Sequence, residues 1–348
     1  MAAGSRAGVP DAGRAGVRVG LIGGGRWAAM HRSALEACGV PLAAVLVRTR
    51  ESAERLRNDW RVPVTTDLDA FLGGDLDAVI VASPNYLHAD HAVACLEAGK
   101  HVLVEKPMAT TVADCDRVLA AADGAGRVLA AGHEMRVFTL FERIRAQAAR
   151  LGAPLHLDLR LFRRPYRSGA SGWKQDPAKL GSSILEEPIH YLDLARWLLG
   201  EVASLQAWAV SRPGHEGMLE NLDIRLEFRS GARAMVTRTV AGFEHHVRCD
   251  LTAEGGALRA RWDGRQDTDD APTVGLWAQD GDGIRSLDVP QRTGHAFDLP
   301  RQTDAFLRAV TEGGPVPADG RDGRAAVVLC LAAERSLREG SRVVDVRS

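Results

Sequence analysis

Short apolar runs alternate with amphipathic segments through the first 135 residues of this 348-residue chain. The segments between the runs have the spacing of helices, as in RWAAMHRSALEAC. The clearest runs are VRVGLI, LAAVLV, DAVIVA, HVLVEK and VLAAG. Strands that are apolar throughout belong to sheets that helices cover on both faces. The pattern predicts a doubly wound α/β domain around a six-strand parallel sheet.

The second half of the chain has a different texture. After the helical segment FTLFERIRAQAARLG, polar and apolar residues alternate in runs such as LHLDLRLF, NLDIRLEF and HHVRCDLTAE. This alternation predicts an α+β domain with a large, mostly antiparallel open sheet. Helices are predicted at residues 184–199 and in two C-terminal segments, TDAFLRAVTEG and DGRAAVVLCLAAERSLREG, which are candidates to pack back on the first domain.

These two hydrophobic patterns predict the domain organisation of the chain. Residues 1–16 have hardly any large apolar group and are predicted to be a disordered tail. The first domain is predicted at residues 17–136 and a second, substrate-binding and oligomerising domain at 137–348. An open sheet exposes one face, and exposed apolar sheets associate. We therefore expect a homodimer or a homotetramer.

Composition limits the kinds of partner. The chain has 44 basic and 45 acidic side chains, and this balance gives no excess of positive charge with which to bind nucleic acid or an anionic membrane. No apolar stretch reaches the roughly 20 residues of a membrane helix, and the N-terminus lacks the apolar centre of a secretory signal. The five cysteines are scattered, which predicts neither disulfides nor a metal site. We expect a cytoplasmic protein that binds a small molecule.

A glycine-rich turn follows the first predicted strand. Gly23, Gly25 and Ala28 form G-x-G-x-x-A between VRVGLI and the next helix, where dinucleotide-binding Rossmann folds hold a pyrophosphate. Glycines let the backbone approach the phosphates, and the helix N-terminus favours their charge. Gly23 and Gly25, with Arg26 and Trp27 after them, are therefore predicted to contact a nicotinamide dinucleotide.

The end of the second strand bears on which dinucleotide is bound. NAD-specific sites place an acidic residue there, about 20 residues after the glycines. This chain has Val47, Arg48 and Thr49 instead. Arg48 and Thr49 could hold the 2'-phosphate of NADP, which favours NADP over NAD. The alternative is that Arg48 lies over the adenine ring and allows both cofactors.

The fourth strand is followed by Ser83, Pro84, Asn85 and, three residues later, His88. Because ligands bind at the carboxyl ends of strands in open α/β sheets, these residues are predicted to line the nicotinamide ribose. The alternative is a Pro-Asn turn followed by surface histidines on a helix.

The fifth strand ends in Glu105-Lys106-Pro107 at the same edge of the sheet. Glu105 and Lys106 are predicted cofactor contacts, and the Lys106 ammonium could stabilise an alkoxide and hold a reacting hydroxyl. Alone, Lys106 could equally be a solvated charge at a strand end.

Three titratable residues lie within the segment 184–199. Glu186, His190 and Asp193 are spaced i, i+4 and i+7, so one helix would carry them on one face. His190 is the candidate base, Glu186 a candidate for binding ring hydroxyls, and Asp193 a substrate-side residue that would orient the imidazole. The alternative is a polar stripe that merely faces solvent.

Together, the turn at residues 23–28, Glu105-Lys106-Pro107 and the Glu186-x-x-x-His190-x-x-Asp193 segment resemble the Gfo/Idh/MocA family over residues 17–348. The resemblance implies that Lys106 and His190 act at a reacting carbinol. An aspartate is typical where Glu186 stands. The resemblance also implies a substrate-facing loop just upstream, which would bring Tyr166, Trp173 and Lys174 to the pocket.

The expected activity is hydride transfer between a nicotinamide and a ring carbinol or ketone of a sugar, glycoside or cyclitol. One alternative on the same fold is a redox-neutral enzyme that returns the hydride after glycoside cleavage or epimerisation. Another is a non-catalytic regulator that senses the dinucleotide, against which the presence of both Lys106 and His190 argues.

Overall fold

The computed structural model describes residues 16–163, 177–211, 219–240 and 244–346. Its first sheet has six parallel strands in the order β3-β2-β1-β4-β5-β6, as predicted. The strands are β1 (Val19–Ile22), β2 (Leu42–Leu46), β3 (Val64–Thr65), β4 (Ala78–Val81), β5 (His101–Glu105) and β6 (Leu129–Gly132). The helices between them are α1 (Arg26–Ala37), α2 (Arg50–Trp60), α3 (Leu68–Leu72), α4 (His88–Glu97) and α5 (Val112–Ala125).

Helices cover both faces of this sheet, which explains its apolar strands. The neighbours Val79 and Ile80 in β4 point to opposite faces, and both are fully buried. Val79 belongs to the larger apolar cluster of the molecule and Ile80 to the smaller one. Several helices begin at a side-chain cap, as α5 does where Thr111 Oγ1 accepts a hydrogen bond from Asp114 N.

The second sheet has nine strands in the order β14-β13-β12-β11-β7-β10-β9-β8-β15. Neighbouring strands are antiparallel except for β7 and β10, which run parallel. The strands are β7 (Pro154–Arg163), β8 (Val202–Val210), β9 (Asn221–Phe228), β10 (Arg233–Val240), β11 (His245–Ala253), β12 (Gly256–Gly264), β13 (Thr273–Asp280), β14 (Gly283–Ser286) and β15 (Val344–Asp345). The prediction of a large, mostly antiparallel sheet is confirmed.

Within the described residues, only one face of the second sheet is covered. Leu157, in β7, is fully buried, whereas its neighbour His156 is exposed. The uncovered face carries charged pairs such as Arg160 with Asp158, 2.5 Å apart. We expect an exposed apolar face, and along β7 the uncovered face is instead largely polar. In β8, however, Trp208 and Val210 are exposed on the same face, so it presents both polar and apolar side chains.

Six helices complete the described part of the chain. They are α6 (Thr139–Ala148), α7 (Pro177–Leu180), α8 (Ser183–Glu186), α9 (Pro188–Leu199), α10 (His295–Glu312) and α11 (Gly320–Arg338). Helices α6 and α9 pack on the covered face of the second sheet, whereas α10 packs on α1. Helix α11 contacts both domains, through α5 and β6 on one side and β8 on the other. No helix in the ranges described is long and apolar enough to cross a membrane.

Two predicted helix boundaries are wrong. The helix predicted over residues 184–199 is divided, because Glu187 leaves the helical conformation (φ −138°, ψ −46°) before Pro188. Glu186 therefore ends α8, and His190 lies in the first turn of α9. Helix α10 begins at His295, well before Thr303, and it accommodates Pro300 near its start.

Candidate active site

The glycine-rich turn has room for an anion at the start of α1. Gly23 has φ +132°, and a Cβ there would lie 2.4 Å from Ala82 O, so a side chain is excluded. Gly25 is the N-cap of α1 and has no side chain to accept from the first N–H groups of the helix. A Cβ added to Gly25 would meet no atom within 4 Å, so open space lies in front of these N–H groups. This arrangement fits a dinucleotide pyrophosphate.

The residues after the turn contact the second domain. Arg26 Nη2 donates to Asp267 Oδ1 at 3.1 Å and to Thr268 Oγ1 at 2.7 Å, in the loop between β12 and β13. Trp27 meets the His295 ring edge-on, with the centroids 5.5 Å apart. Arg26 and Trp27 thus join the predicted cofactor site to the opposite wall of the cleft.

The end of β2 holds the residues predicted to select the cofactor. Arg48 is exposed, so its guanidinium is free to approach a ligand from solvent. Thr49 caps α2, since its Oγ1 accepts from Ser52 N at 3.2 Å and donates to Ser52 Oγ at 2.9 Å. Arg55 was missed by the sequence analysis, and its Nη2 donates to Gly24 O at 3.3 Å.

His88 connects the loops after β4 and β5. Its Nδ1 lies 2.7 Å from Pro107 O and its Nε2 lies 2.6 Å from Ser83 O. Burial lowers the pKa of His88, although both carbonyl contacts oppose that shift. Ser83 Oγ also lies 2.9 Å from His91 Nδ1. His88 is therefore buried between the two loops, contrary to the alternative of a surface histidine, and it holds Ser83 beside the segment of Lys106.

Pro84 and Asn85 lie in the same loop and lead into α4 through a short 3-10 turn. Asn85 is buried, and its Nδ2 donates to Leu180 O at 3.4 Å and to Glu186 Oε2 at 3.5 Å. The predicted nicotinamide loop thus contacts the segment that leads to His190.

The Glu105 and Lys106 side chains point to different places. Glu105 Oε1 lies 2.7 Å from His31 Nε2, and Glu105 Oε2 accepts from Lys106 N at 3.1 Å. Burial raises the pKa of Glu105, but the hydrogen bond from His31 and the nearby charges of His31, Lys106 and His88 together outweigh it, and the net shift is downward. Lys106 Nζ donates to Glu186 O at 2.5 Å, and the peptide bond between Lys106 and Pro107 is cis. The Glu105 carboxylate thus stabilises the loop after β5 through contacts within the first domain. The Lys106 ammonium instead contacts α8, in the second domain.

His190 lies four residues after Glu186, whose carbonyl accepts the hydrogen bond from Lys106. It is buried, and no protein atom forms a hydrogen bond with its Nδ1 in the described residues. Its ring centroid is 6.3 Å from that of His133 and 6.2 Å from that of His295. Burial, then Lys106 and the two other imidazoles, hold the pKa of His190 well below its usual value. The ring is therefore unprotonated near neutral pH and can accept a proton.

Asp193 does not orient His190. Arg136 Nη2 donates to Asp193 Oδ1 at 2.6 Å and Arg136 Nε donates to Asp193 Oδ2 at 2.8 Å. Arg136 also binds Asp322 Oδ2 at 2.8 Å, which ties α9 to α11. The prediction failed because the guanidinium of Arg136, brought in by the chain after β6, occupies both carboxylate oxygens.

The remaining predicted substrate residues, Tyr166, Trp173 and Lys174, lie outside the described residues. Among the ranges that are described, no group of three or more His, Cys, Asp or Glu side chains could hold a metal ion.

A cavity beside His295, whose ring centroid is 6.2 Å from that of His190, is formed by residues that the sequence did not indicate. It is lined by Met135, Phe138, Leu140, Phe141, His245, Val247, Trp262, Asp267, Gly294 and His295. Trp262 is fixed by a hydrogen bond of 2.7 Å from its Nε1 to Thr293 O. Glu134, which follows β6 as Lys106 follows β5, could have been found by the same strand-end rule. His295 and Asp267 had no comparable signal, because they reach the site only through tertiary packing.

Comparison with known proteins agrees with this architecture. Residues 17–133 match the GFO_IDH_MocA family, described as an oxidoreductase family with an NAD-binding Rossmann fold, and residues 147–346 match its C-terminal alpha/beta domain. Inositol 2-dehydrogenase 4 of Saccharopolyspora erythraea is 30% identical over 343 residues, which cover 94% of this chain and 95% of that protein. Myo-inositol 2-dehydrogenase of Thermotoga maritima is 28% identical over 356 residues, which cover 93% of this chain and 97% of that protein.

Solved structures show the same fold. A levoglucosan dehydrogenase in complex with NADH and levoglucosan superposes with a TM-score of 0.82 at 21% identity, covering 95% of this chain and 99% of that one. With both domains matched in order along nearly the whole sequence, this chain belongs to the Gfo/Idh/MocA oxidoreductase family.

Proposed function

We propose that this chain is an NAD(P)-dependent dehydrogenase or reductase that acts on a ring carbinol or ketone of a sugar-like or cyclitol substrate. One observation carries the proposal: an ammonium, Lys106 Nζ, is held at the Glu186 carbonyl beside a buried imidazole, His190, at the edge of a dinucleotide-binding sheet. When bound, the nicotinamide accepts or donates the hydride.

The protein residues handle the proton and the charge. His190 is unprotonated at neutral pH because burial and Lys106 depress its pKa, so it can take the hydroxyl proton. Lys106 stabilises the negative charge that develops on the same oxygen. In the reducing direction His190 returns a proton, and Lys106 polarises the ketone.

The cavity wall and the names of the relatives support the proposed substrate class. Aromatic faces at Phe138, Phe141 and Trp262 suit the apolar face of a ring, while His245, Asp267 and His295 offer polar atoms to its hydroxyls. The relatives are named for inositol. We further propose that Glu186 binds a ring hydroxyl and that Tyr166, Trp173 and Lys174 face the substrate.

We propose NADP as the preferred cofactor. The end of β2 has no carboxylate for a ribose 2'-hydroxyl, and Arg48 is exposed there. The Thr49 side chain already caps α2, so we propose that the Arg48 guanidinium makes the contact with the 2'-phosphate. Replacement of Arg48 by Glu should then weaken NADPH binding far more than NADH binding.

The test combines cofactor binding with turnover. The parent protein and Lys106→Ala are titrated with NADPH and NADH by fluorescence and screened against inositols and hexoses. We expect binding to persist in the variant while kcat/KM falls by about 10²–10⁴-fold. Lys100→Ala is the matched control, because Lys100 precedes β5 at the opposite end from Lys106 and its Nζ donates to Gly74 O at 3.3 Å. It should leave turnover unchanged.

Other results identify the rival functions. Full turnover by Lys106→Ala would refute the mechanism. Tight cofactor binding without turnover of any polyol would favour the dinucleotide-sensing regulator. Interconversion of polyols or cleavage of glycosides with no net change in NADPH would favour the redox-neutral enzyme. We also propose a homodimer or homotetramer, which analytical ultracentrifugation would test.

A further inference from the structure

Glu134 is a buried carboxylate that the mechanism above does not use. It follows β6 at the same sheet edge as Lys106, and no part of it is exposed. Neither oxygen forms an aligned hydrogen bond with a described residue. Its Oε1 lies 2.8 Å from His295 Nδ1 and 3.7 Å from His190 Nε2. A buried carboxyl group so poorly paired is costly, so its place between two imidazoles calls for a functional explanation.

The position of His295 is fixed from several sides. It is the first residue of α10, and the preceding Gly294 has φ +134°. Asp298 holds this start, because its Oδ2 accepts from Gly294 N at 2.8 Å. The ring meets Trp27 and Phe138 edge-on, with centroids 5.5 and 5.1 Å away. The imidazole is therefore held in one plane while it lines the cavity.

The imidazoles of His190 and His295 then have different roles, one at the reacting hydroxyl and the other at its neighbour. The contact between Glu134 Oε1 and His295 Nδ1 is not aligned as a hydrogen bond, but at 2.8 Å it favours a proton on Nδ1 over a lone pair there and leaves Nε2 as an acceptor. Because Nδ1 faces Glu134 and the ring lines the cavity, Nε2 is the nitrogen available to a ligand. The centroids of His190 and His295 are 6.2 Å apart, close enough for one ring with neighbouring hydroxyls to reach both.

We infer that Glu134 and His295 form a specificity pair: Glu134 fixes the tautomer of His295, and His295 Nε2 accepts a hydrogen bond from the hydroxyl next to the reacting carbinol. The substrate class is thus narrowed to rings with a vicinal diol. This inference rests on the proposed function, since it requires that Lys106 and His190 hold the reacting hydroxyl.

The kinetic test uses His295→Phe, which keeps an aromatic ring against Trp27 and Phe138 but removes both nitrogens. For the best polyol substrate we expect KM to rise about tenfold or more with a smaller change in kcat. For the analogue in which hydrogen replaces the adjacent hydroxyl, parent and variant should have equal kcat/KM. Unchanged NADPH affinity shows that the variant is folded.

The matched control is His246→Phe. His246 Nδ1 also lies beside a carboxylate, 2.7 Å from Asp263 Oδ1, but on the uncovered face of the second sheet. This variant should leave both kinetic constants unchanged.

A second test needs no substrate. In side-chain ¹⁵N NMR spectra, neutral His295 of the parent should carry its proton on Nδ1, and Glu134→Gln should shift the ring toward the Nε2-protonated tautomer. Asp263→Asn should alter His246 and leave His295 unchanged. An Nε2-protonated His295 in the parent would overturn the inference.

The two proposals can fail separately. If turnover depends on Lys106 but His295→Phe keeps the parent KM, the inference is wrong and the dehydrogenase stands. If no polyol is turned over, or if Lys106→Ala remains fully active, the proposed function fails and the inference falls with it.

Discussion

The two sheets of this protein meet at one site but contribute to it in different ways. In the parallel sheet both faces are buried, so polar side chains such as Lys106 and Glu134, for which roles are proposed above, occur where strands end. In the second sheet one face is covered, and side chains such as His245, Val247 and Trp262 project from that face into the cavity. In the proposed function, the cofactor therefore meets side chains at strand ends, whereas the substrate meets side chains on a strand face. Under that proposal, substitutions within strands of the second sheet should change specificity.

The largest effects should come from charges placed on the two sheets. Val79→Asp and Ile80→Asp should each cost more than about 4 kcal/mol of unfolding free energy, because both faces of β4 are buried. In β7, Leu157→Asp should cost as much, but His156→Asp should change stability by less than about 0.5 kcal/mol. Urea denaturation measures all four. A severe loss in His156→Asp would mean that the second sheet is covered on both faces in solution.

The next largest effect concerns the buried ion pair between the domains. Arg136→Met should destabilise the protein by about 3–5 kcal/mol, because it leaves the nearly fully buried Asp193 carboxylate without its cation. Denaturant titration at pH 7 measures the loss. If the variant keeps the parent stability, Asp193 is protonated or otherwise solvated, and the ion pair does not join the two halves.

A smaller, pH-dependent effect is expected at the contact between Arg26 and Asp267. Burial opposes ionisation of Asp267, but His295 and then Arg26 outweigh it and hold its pKa at about 2. Because the folded pKa lies below the usual value of 3.8, the carboxylate stabilises the fold above about pH 4. This contribution is lost as the pH falls from about 4 to about 2.

The variant Asp267→Asn isolates this contribution. At pH 7 we expect it to be less stable than the parent by about 1–2 kcal/mol. The difference should shrink steadily when urea titrations are repeated between pH 4 and pH 2. A difference that does not depend on pH would show that Asp267 acts through its shape rather than through its charge.

The smallest effect is expected on the uncovered face. Arg160 and Asp158 form an ion pair in which about half of the arginine side chain is exposed. Arg160→Met should change the unfolding free energy by only about 0–1 kcal/mol, because water screens an exposed pair. The same substitution at Arg136 provides the contrast. Equal losses at both positions would remove the distinction between the covered and uncovered environments.

Much of the fold could be predicted from the sequence because it depends on local periodicity. Uniformly apolar runs predicted the parallel strands, and alternating runs predicted the second sheet. The break between α8 and α9 was missed although Glu187-Pro188 signals it, since a residue before proline disfavours the helical conformation. The prediction also placed the start of α10 too late, whereas the helix begins at His295 and includes Pro300 near its start.

The candidate site could be predicted only where a motif marks it. Lys106 and His190 lie in recognisable segments, and the structure brings Lys106 to the segment just before α9. His295 lies about 190 residues from Lys106 and Asp267 about 240 from Arg26, and neither belongs to a periodic pattern. Their contacts arise from the packing of α10 on α1 and from the loop after β12. The pairing of Asp193 with Arg136 was likewise invisible, because spacing along a helix does not reveal a partner from another element.

The return of α11 to the first domain has a consequence for how the chain folds as it is synthesised. Gly320 and Gly323 let the helix approach β6 closely, since a Cβ on either would lie within 3 Å of Leu129 or Ala131. Ala131 N also donates to Ala318 O at 2.9 Å, which extends the edge of the parallel sheet. Residues 318–323 must therefore be synthesised before the first sheet can be completed, although its own strands end at Gly132. Until then the backbone edge of β6 stays open to other strands.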